Sequence, residues 1–170
     1  MSNLEKAVDS EDFIRKVANE LDGDFIVYFN LETLEYGTSR EEWNEEYGEV
    51  LDLQEEYFKQ EIEDWHPEDK DMVESIYEAM KLPDCIEPPE SYIQFQWMVD
   101  FTEEHASNRK FFQYAEKALN RQHPFRGFKD TVLYNGLEKE WYAYKEMRMQ
   151  NWVRNELPFY KTERNAEGYC

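Results

Sequence analysis

Glycine and proline are scarce, with six of each in 170 residues. The glycines fall into no G-x-G-x-x-G and no Walker-type loop, which excludes the usual glycine-rich cradles for nucleotide phosphates. Cysteine is limited to Cys85 and Cys170, with no C-x-x-C and no histidine at ligand spacing. A zinc ribbon or thioredoxin-like motif is therefore excluded, and both residues read as ordinary thiols. Histidine is limited to His66, His105 and His123, none at zinc-site spacing or beside a plausible nucleophile. No apolar run approaches the roughly 18 to 20 residues that span a bilayer. The opening MSNLEKAVDSEDF lacks the basic-then-apolar plan of a secretory signal. The expectation is a cytoplasmic protein with no membrane partner and no cofactor.

Positive charge is also in short supply. Nineteen Lys and Arg face thirty-nine Asp and Glu, a formal net of −20. The shortage is uneven: residues 1–104 hold 7 cations against 31 acids, whereas residues 105–170 hold 12 against 8. Two readings follow. Either the acidic part is solvated and partly neutralised by the basic part within one fold, or each part meets a separate partner, the acidic one repelling or imitating nucleic acid. Rings are plentiful, at 16% of the chain, and they supply buried area that excludes a disordered polyelectrolyte.

Periodicity gives the architecture. Ser10, Glu11 and Asp12 form a helix start, Phe13, Ile14, Val17, Ala18 and Leu21 recur at helical spacing, and Gly23 reads as the stop. Strands are expected at about 25–30 and 34–38, joined as a hairpin, since FIVYFN and LEYGTS flank a turn. The acid-rich stretch 40–65 leaves room for a third strand near 49–53 and then a helix. His66-Pro67 opens another helix, and CIEPPES is a proline-rich break. Helices are expected over 91–104, 108–120, 124–135 and about 138–157, with short breaks that suit antiparallel neighbours. The fold class is α+β, helix-dominated, with a small antiparallel β-hairpin near the N-terminus and a C-terminal packet of helices. A single domain is expected over 1–157, acidic over 1–104 and basic over 105–157, followed by a polar tail at 158–170.

Two stretches carry candidate binding residues. In HPFRGFKD, a helix beginning at Pro124 puts Phe125, Phe128 and Val132 on one face, expected to be core, and Arg126 and Lys129 on a flank. Arg126 is then placed to reach a carboxylate of the acidic part. In the last helix Trp141, Tyr144, Lys145, Arg148 and Trp152 fall at i, i+3, i+4, i+7 and i+11. Such a stripe can stack bases and hold phosphates, or it can pack rings into the core with cationic stems laid over them. A metal site has only half a motif: Glu63-x-x-His66 lacks the second Glu-x-x-His that a carboxylate-bridged centre needs. Carboxylates are so abundant that a catalytic acid pair cannot be singled out.

The order FIVYFNLETLEYG, IEPPESYIQFQWMVDF and FRGFKDTVLYNGLEKEWYAYKEMRMQNWVRNEL resembles a bacterial family, Uncharacterised Protein Family one-five-eight. The matching positions are Tyr28 to Tyr36, Ile86 to Pro89, Met98 and Phe101, Phe125 to Asp130, Trp141 with Tyr144, and Trp152. The match is densest over about 85–157, and Asn30 and Leu34 depart from an aspartate and a glycine in the hairpin turn. The resemblance implies an order of elements and a bacterial intracellular origin, and it brings no activity with it. The leading functional expectation is a non-catalytic protein-binding or adaptor module that uses its acidic surface, so that charge reversal of EEWNEE (41–46) weakens the complex. The alternatives are a nucleic-acid-linked protein using Arg126, Lys129, Trp141, Tyr144, Lys145 and Arg148, and an enzyme with a site among the carboxylates.

Overall fold

The computed structural model describes Lys6 and residues 10–158. Contacts divide the chain into two units, one of the residues up to Pro88 with those from Trp152 onward, the other of Pro89–Asn151.

In the first unit, helix α1 (Glu11–Asp22) starts as its sequence dictates. The Ser10 hydroxyl accepts from the Phe13 N–H at 3.4 Å, and Glu11 and Asp12 occupy the first turn, at the positive end of the helix dipole. The stop differs from the expected glycine break. Gly23 keeps a φ of −83°, and the left-handed residue is Asp24 at 61°. The Phe25 N–H bonds the Glu20 carbonyl and the Asp24 N–H the Leu21 carbonyl, which is a Schellman closure. Gly23 serves another end: a Cβ there would stand 3.1 Å from the Phe25 ring.

The sheet has strand order β2-β1-β3, both pairings antiparallel. β1 (Ile26–Phe29) is central and buried at all four positions, so its sequence is a continuous apolar run, not an alternating one. β2 (Tyr36–Ser39) pairs with it from Ile26↔Ser39 to Phe29↔Tyr36. In the turn between them the Asn30 Oδ1 accepts from the N–H groups of Glu32 and Thr33, and Leu34 sits left-handed at φ 60°. The third strand is not at 49–53. It is β3 (Asp84–Ile86), inside the stretch read as a break, pairing Val27↔Ile86 and Phe29↔Asp84.

The acidic stretch is helical: α2 (Glu41–Glu46), α3 (Gly48–Leu51) and α4 (Glu55–Glu61) precede α5 (Pro67–Met80). Leu51, Phe58, Ile62, Val73 and Ile76 form a core beneath them, with Tyr77 stacked on Phe58 at 3.8 Å between ring centroids. Helix α5 lies so close to β2 that a Cβ on Gly37 would stand 2.6 Å from that of Ala79. Tyr28, Asn44 and Ser39 form a satisfied polar chain, with the Asn44 amide donating to the Tyr28 hydroxyl and the Ser39 hydroxyl to Asn44. Cys85 corrects the expectation of ordinary thiols: it is buried and disulfide-bonded. Cys170 and most of the expected tail lie outside the described residues.

The second unit holds α6 (Ser91–Glu104), α7 (Arg109–Leu119), α8 (Pro124–Tyr134) and most of α9 (Glu138–Glu156). The Asn108 side chain caps α7 by accepting from the Phe111 N–H. Helix α8 ends in a second Schellman closure, Leu137 N–H to Val132 carbonyl and Gly136 N–H to Leu133 carbonyl, with Gly136 at φ 69°. The core is aromatic and centred on Phe101. Its ring meets those of Phe111, Phe128, Trp141 and Tyr144 at 5.3–6.2 Å and His105 at 4.1 Å. The protein is thus α+β and helix-dominated, with a small antiparallel sheet. No helix among the described residues is long and apolar enough to cross a membrane.

Candidate functional site

Pro124 is the first residue of α8, and Phe128 and Val132 are fully packed. Phe125 is not core. It is 38% exposed, in a T-shaped contact with Phe95 at 6.5 Å between ring centroids. Arg126 and Lys129 are exposed, and Arg126 has no ion pair with a carboxylate among the described residues, contrary to the expected contact. His123, the residue before the helix, is left-handed at φ 57° and caps nothing with its side chain.

The α9 stripe is largely closed into the packet. Trp141 is 4% exposed, and Tyr144, Lys145 and Arg148 are half-buried. The Arg148 guanidinium donates to Tyr144 Oη at 2.6 Å and to Asp100 Oδ2 at 2.7 Å, and Gln96 donates to the other oxygen of Asp100. Burial pushes the Tyr144 hydroxyl above its ordinary range, and the hydrogen bond from Arg148 opposes that only in part. The Arg148 guanidinium is held more firmly protonated, chiefly by that bond. Arg148, Tyr144, Asp100 and Gln96 satisfy one another and brace α9 on α6, whereas the indole N–H groups of Trp141 and Trp152 are buried without a hydrogen-bond partner; the stripe is a packing device with cationic stems over rings.

What the structure adds is the α7–α8 hairpin. Lys110 lies 5.2 Å from the ring centroid of Tyr134, at the opposite end of the partner helix, and a Cβ on Gly127 would touch that of Ala118 at 3.4 Å. The helices therefore run antiparallel along their length, with Gly127 allowing the close approach. Residues 109–134 carry six cations, Arg109, Lys110, Lys117, Arg121, Arg126 and Lys129, against two acids, Glu116 and Asp130. All six cations are exposed, and none has an ion pair among the described residues. By contrast Lys16, Lys59 and Lys81, on the acidic first unit, are each within 3 Å of a carboxylate.

Two stripes make one face. Lys110, Tyr114 and Lys117 recur at i, i+4 and i+7 on α7, and Arg121 follows two residues past the end of the helix, so the stripe runs for about 16 Å. On α8, Arg126, Asp130 and Tyr134 recur at i, i+4 and i+8, and the Lys110–Tyr134 contact sets the two stripes side by side. Tyr114 and Tyr134 are 51% and 76% exposed. Gln113, Glu116, Lys117, Asn120 and Arg121 line a shallow open groove. The signal for this face was present in KFFQYAEKALNR, where one cation or ring falls on each turn, and only its Arg126 edge was picked out from the sequence.

No family model, curated protein or solved structure matches the chain.

Other sites carry less. Among the described residues no group of three or more His, Cys, Asp and Glu could hold a metal ion, so Glu63 and His66 gain no companion. The glutamates of EEWNEE all face solvent on α2, while Trp43 turns inward against Phe25. On a chain of charge −20, exposed glutamates are the ordinary surface and mark no site by themselves.

Proposed function

We propose that this protein is a non-catalytic binding module that engages a protein partner through the α7–α8 hairpin. One observation carries the reading: the cations of this hairpin stand unpaired beside exposed tyrosines, on a chain where acids outnumber cations about two to one. Tyr and Arg, with Trp, are the side chains enriched among interface hot spots: Tyr brings large contact area at little entropic cost, and Arg a charged, multidentate donor. Membership of the bacterial family that the sequence resembles is part of the same proposal and is compatible with a binding role.

The test is a pull-down from bacterial lysate with the tagged full chain, split into nuclease-treated and untreated halves. The expected outcome is a partner that survives nuclease, disappears with Arg126→Glu/Lys129→Glu and is retained by Glu41→Lys/Glu45→Lys. Material that vanishes with nuclease transfers the hairpin to nucleic acid; loss only in the α2 variant moves the site to the acidic run. A cytoplasmic location meets one opposing observation, because disulfides such as that of Cys85 are rare where glutathione keeps thiols reduced. Alkylation of Cys85 in freshly lysed cells, before any reductant is added, places the protein in a reducing compartment; protection until reduction places it in an oxidising one.

A further inference from the structure

We infer that the hairpin face takes a short acidic segment of another protein, an inference that rests on the binding-module reading above and names the chemistry of the partner. Charge complementarity is the first ground. Lys110, Lys117, Arg121 and Arg126 lie on adjoining stripes about 16 Å long, and no carboxylate among the described residues neutralises them. A segment with an acid on each of two or three successive turns matches that spacing.

The second ground separates a peptide from a nucleic acid, which the same cations would otherwise suit. Glu116 lines the groove together with Lys117 and Arg121, and Asp130 lies one turn from both Arg126 and Tyr134. A phosphate backbone carries like charge at a fixed spacing and would run into both carboxylates. A polypeptide can place an amide, a hydroxyl or a cation at those two points. The Asn120 side chain donates its amide N–H to the Glu116 carbonyl at 2.8 Å, which leaves its oxygen as an acceptor for a peptide N–H. Gln113, exposed two turns earlier, offers both a donor and an acceptor.

The third ground is the pair of exposed rings beside these cations, Tyr114 and Tyr134, at 51% and 76% exposure. The rings of Tyr114 and Tyr134 then cover the aliphatic stems of the segment and direct their hydroxyls to its carboxylates.

The experiment is fluorescence anisotropy with the full chain at low and physiological salt. The probes are a labelled 16-residue helical peptide of Ala and Leu with Glu at every fourth position, and a labelled 16-nucleotide oligo-dT. Two variants carry the same change in net charge: Lys110→Glu/Lys117→Glu/Arg121→Glu on the hairpin, and Lys16→Glu/Lys59→Glu/Lys81→Glu on the first unit. All six positions are exposed, and circular dichroism checks that both variants fold. The peptide is expected to bind more tightly than oligo-dT, to weaken roughly tenfold or more in the hairpin variant, and to weaken far less in the other. Tighter binding of oligo-dT overturns the inference, as do equal losses in the two variants or no peptide binding at low salt. The broader reading fails separately, when no nuclease-resistant partner in the pull-down depends on Arg126 and Lys129.

Discussion

Gly37 shows how one missing methyl group positions an element. Its absent Cβ lets Ala79 of α5 come within 2.6 Å of where that atom would be, so Gly37→Ala forces helix and strand apart. The expected loss is about 1–3 kcal/mol, read as a lower urea midpoint with unchanged slope. Leu34 works in the opposite sense. A branched-chain residue held at φ 60° is strained by roughly 1–2 kcal/mol, and the backbone entropy of glycine returns part of that, so Leu34→Gly is expected to stabilise by about 0.5–1 kcal/mol in the same assay. Glu156 gives a pH signature. Burial raises its carboxyl above the ordinary glutamate range, so the folded state binds its proton more readily than the unfolded chain does. The penalty for charging it is present at neutral pH and disappears as pH falls through the raised value into the ordinary glutamate range. Glu156→Gln is accordingly expected to raise the melting temperature at pH 7, with the gain vanishing in acid. At this scale the sequence was a mixed guide. Helical spacing puts Phe128 and Val132 in the core correctly, but it treats every turn alike and so counts Phe125 with them, though in the first turn of α8 that ring is 38% exposed. A glycine was read as the stop of α1, whereas the left-handed position is Asp24, because a Schellman closure fixes the place of the turn and not the residue that fills it.

Elements were legible where one face is apolar. Helices α1, α5, α6, α7, α8 and α9 follow from periodicity and caps, and the β1–β2 hairpin from its β-branched and aromatic run. Two things escaped. Helices α2 and α3 are short, acidic and weakly periodic, and they hold their place through Trp43, Tyr47, Val50 and Leu51 packing on the α4–α5 core, a tertiary contact with no local signature. Strand β3 is three residues between prolines, extended because β1 offers it a free edge. The α9 stripe shows the limit of a spacing argument, since one pattern suits a nucleic-acid face and a packed face equally, and only the burial of Trp141 decides. If α9 is braced as described, Phe101→Ala removes the ring on which its Trp141 and Tyr144 pack. A cost of about 3–5 kcal/mol is expected from chemical denaturation. Arg148→Met, which keeps the stem and drops the bonds to Asp100 and Tyr144, should cost about 1–2 kcal/mol. A stability unchanged by Arg148→Met would return that arginine to the list of surface cations.

At the scale of the whole molecule the decisive property is where charge is left unanswered. The sequence showed that residues 105–170 oppose the rest in sign, and it could not show which cations the fold would satisfy, because that depends on neighbours far apart in the chain. The structure separates them. Arg148 and Arg154 are tied to Asp100 and Glu11, and Lys16, Lys59 and Lys81 to nearby acids, while the hairpin cations face solvent. Binding at such a face weakens with salt, since exposed charges are screened within about 8 Å at physiological ionic strength. The most direct measurement is lysine acetylation footprinting of the full chain, with and without the partner recovered in the pull-down. Protection of Lys110, Lys117 and Lys129, with Lys16, Lys59 and Lys81 unchanged, is the expected result. Partner-dependent protection of the second set, with the hairpin lysines as reactive as in the free protein, would contradict the assignment of the hairpin as the docking face.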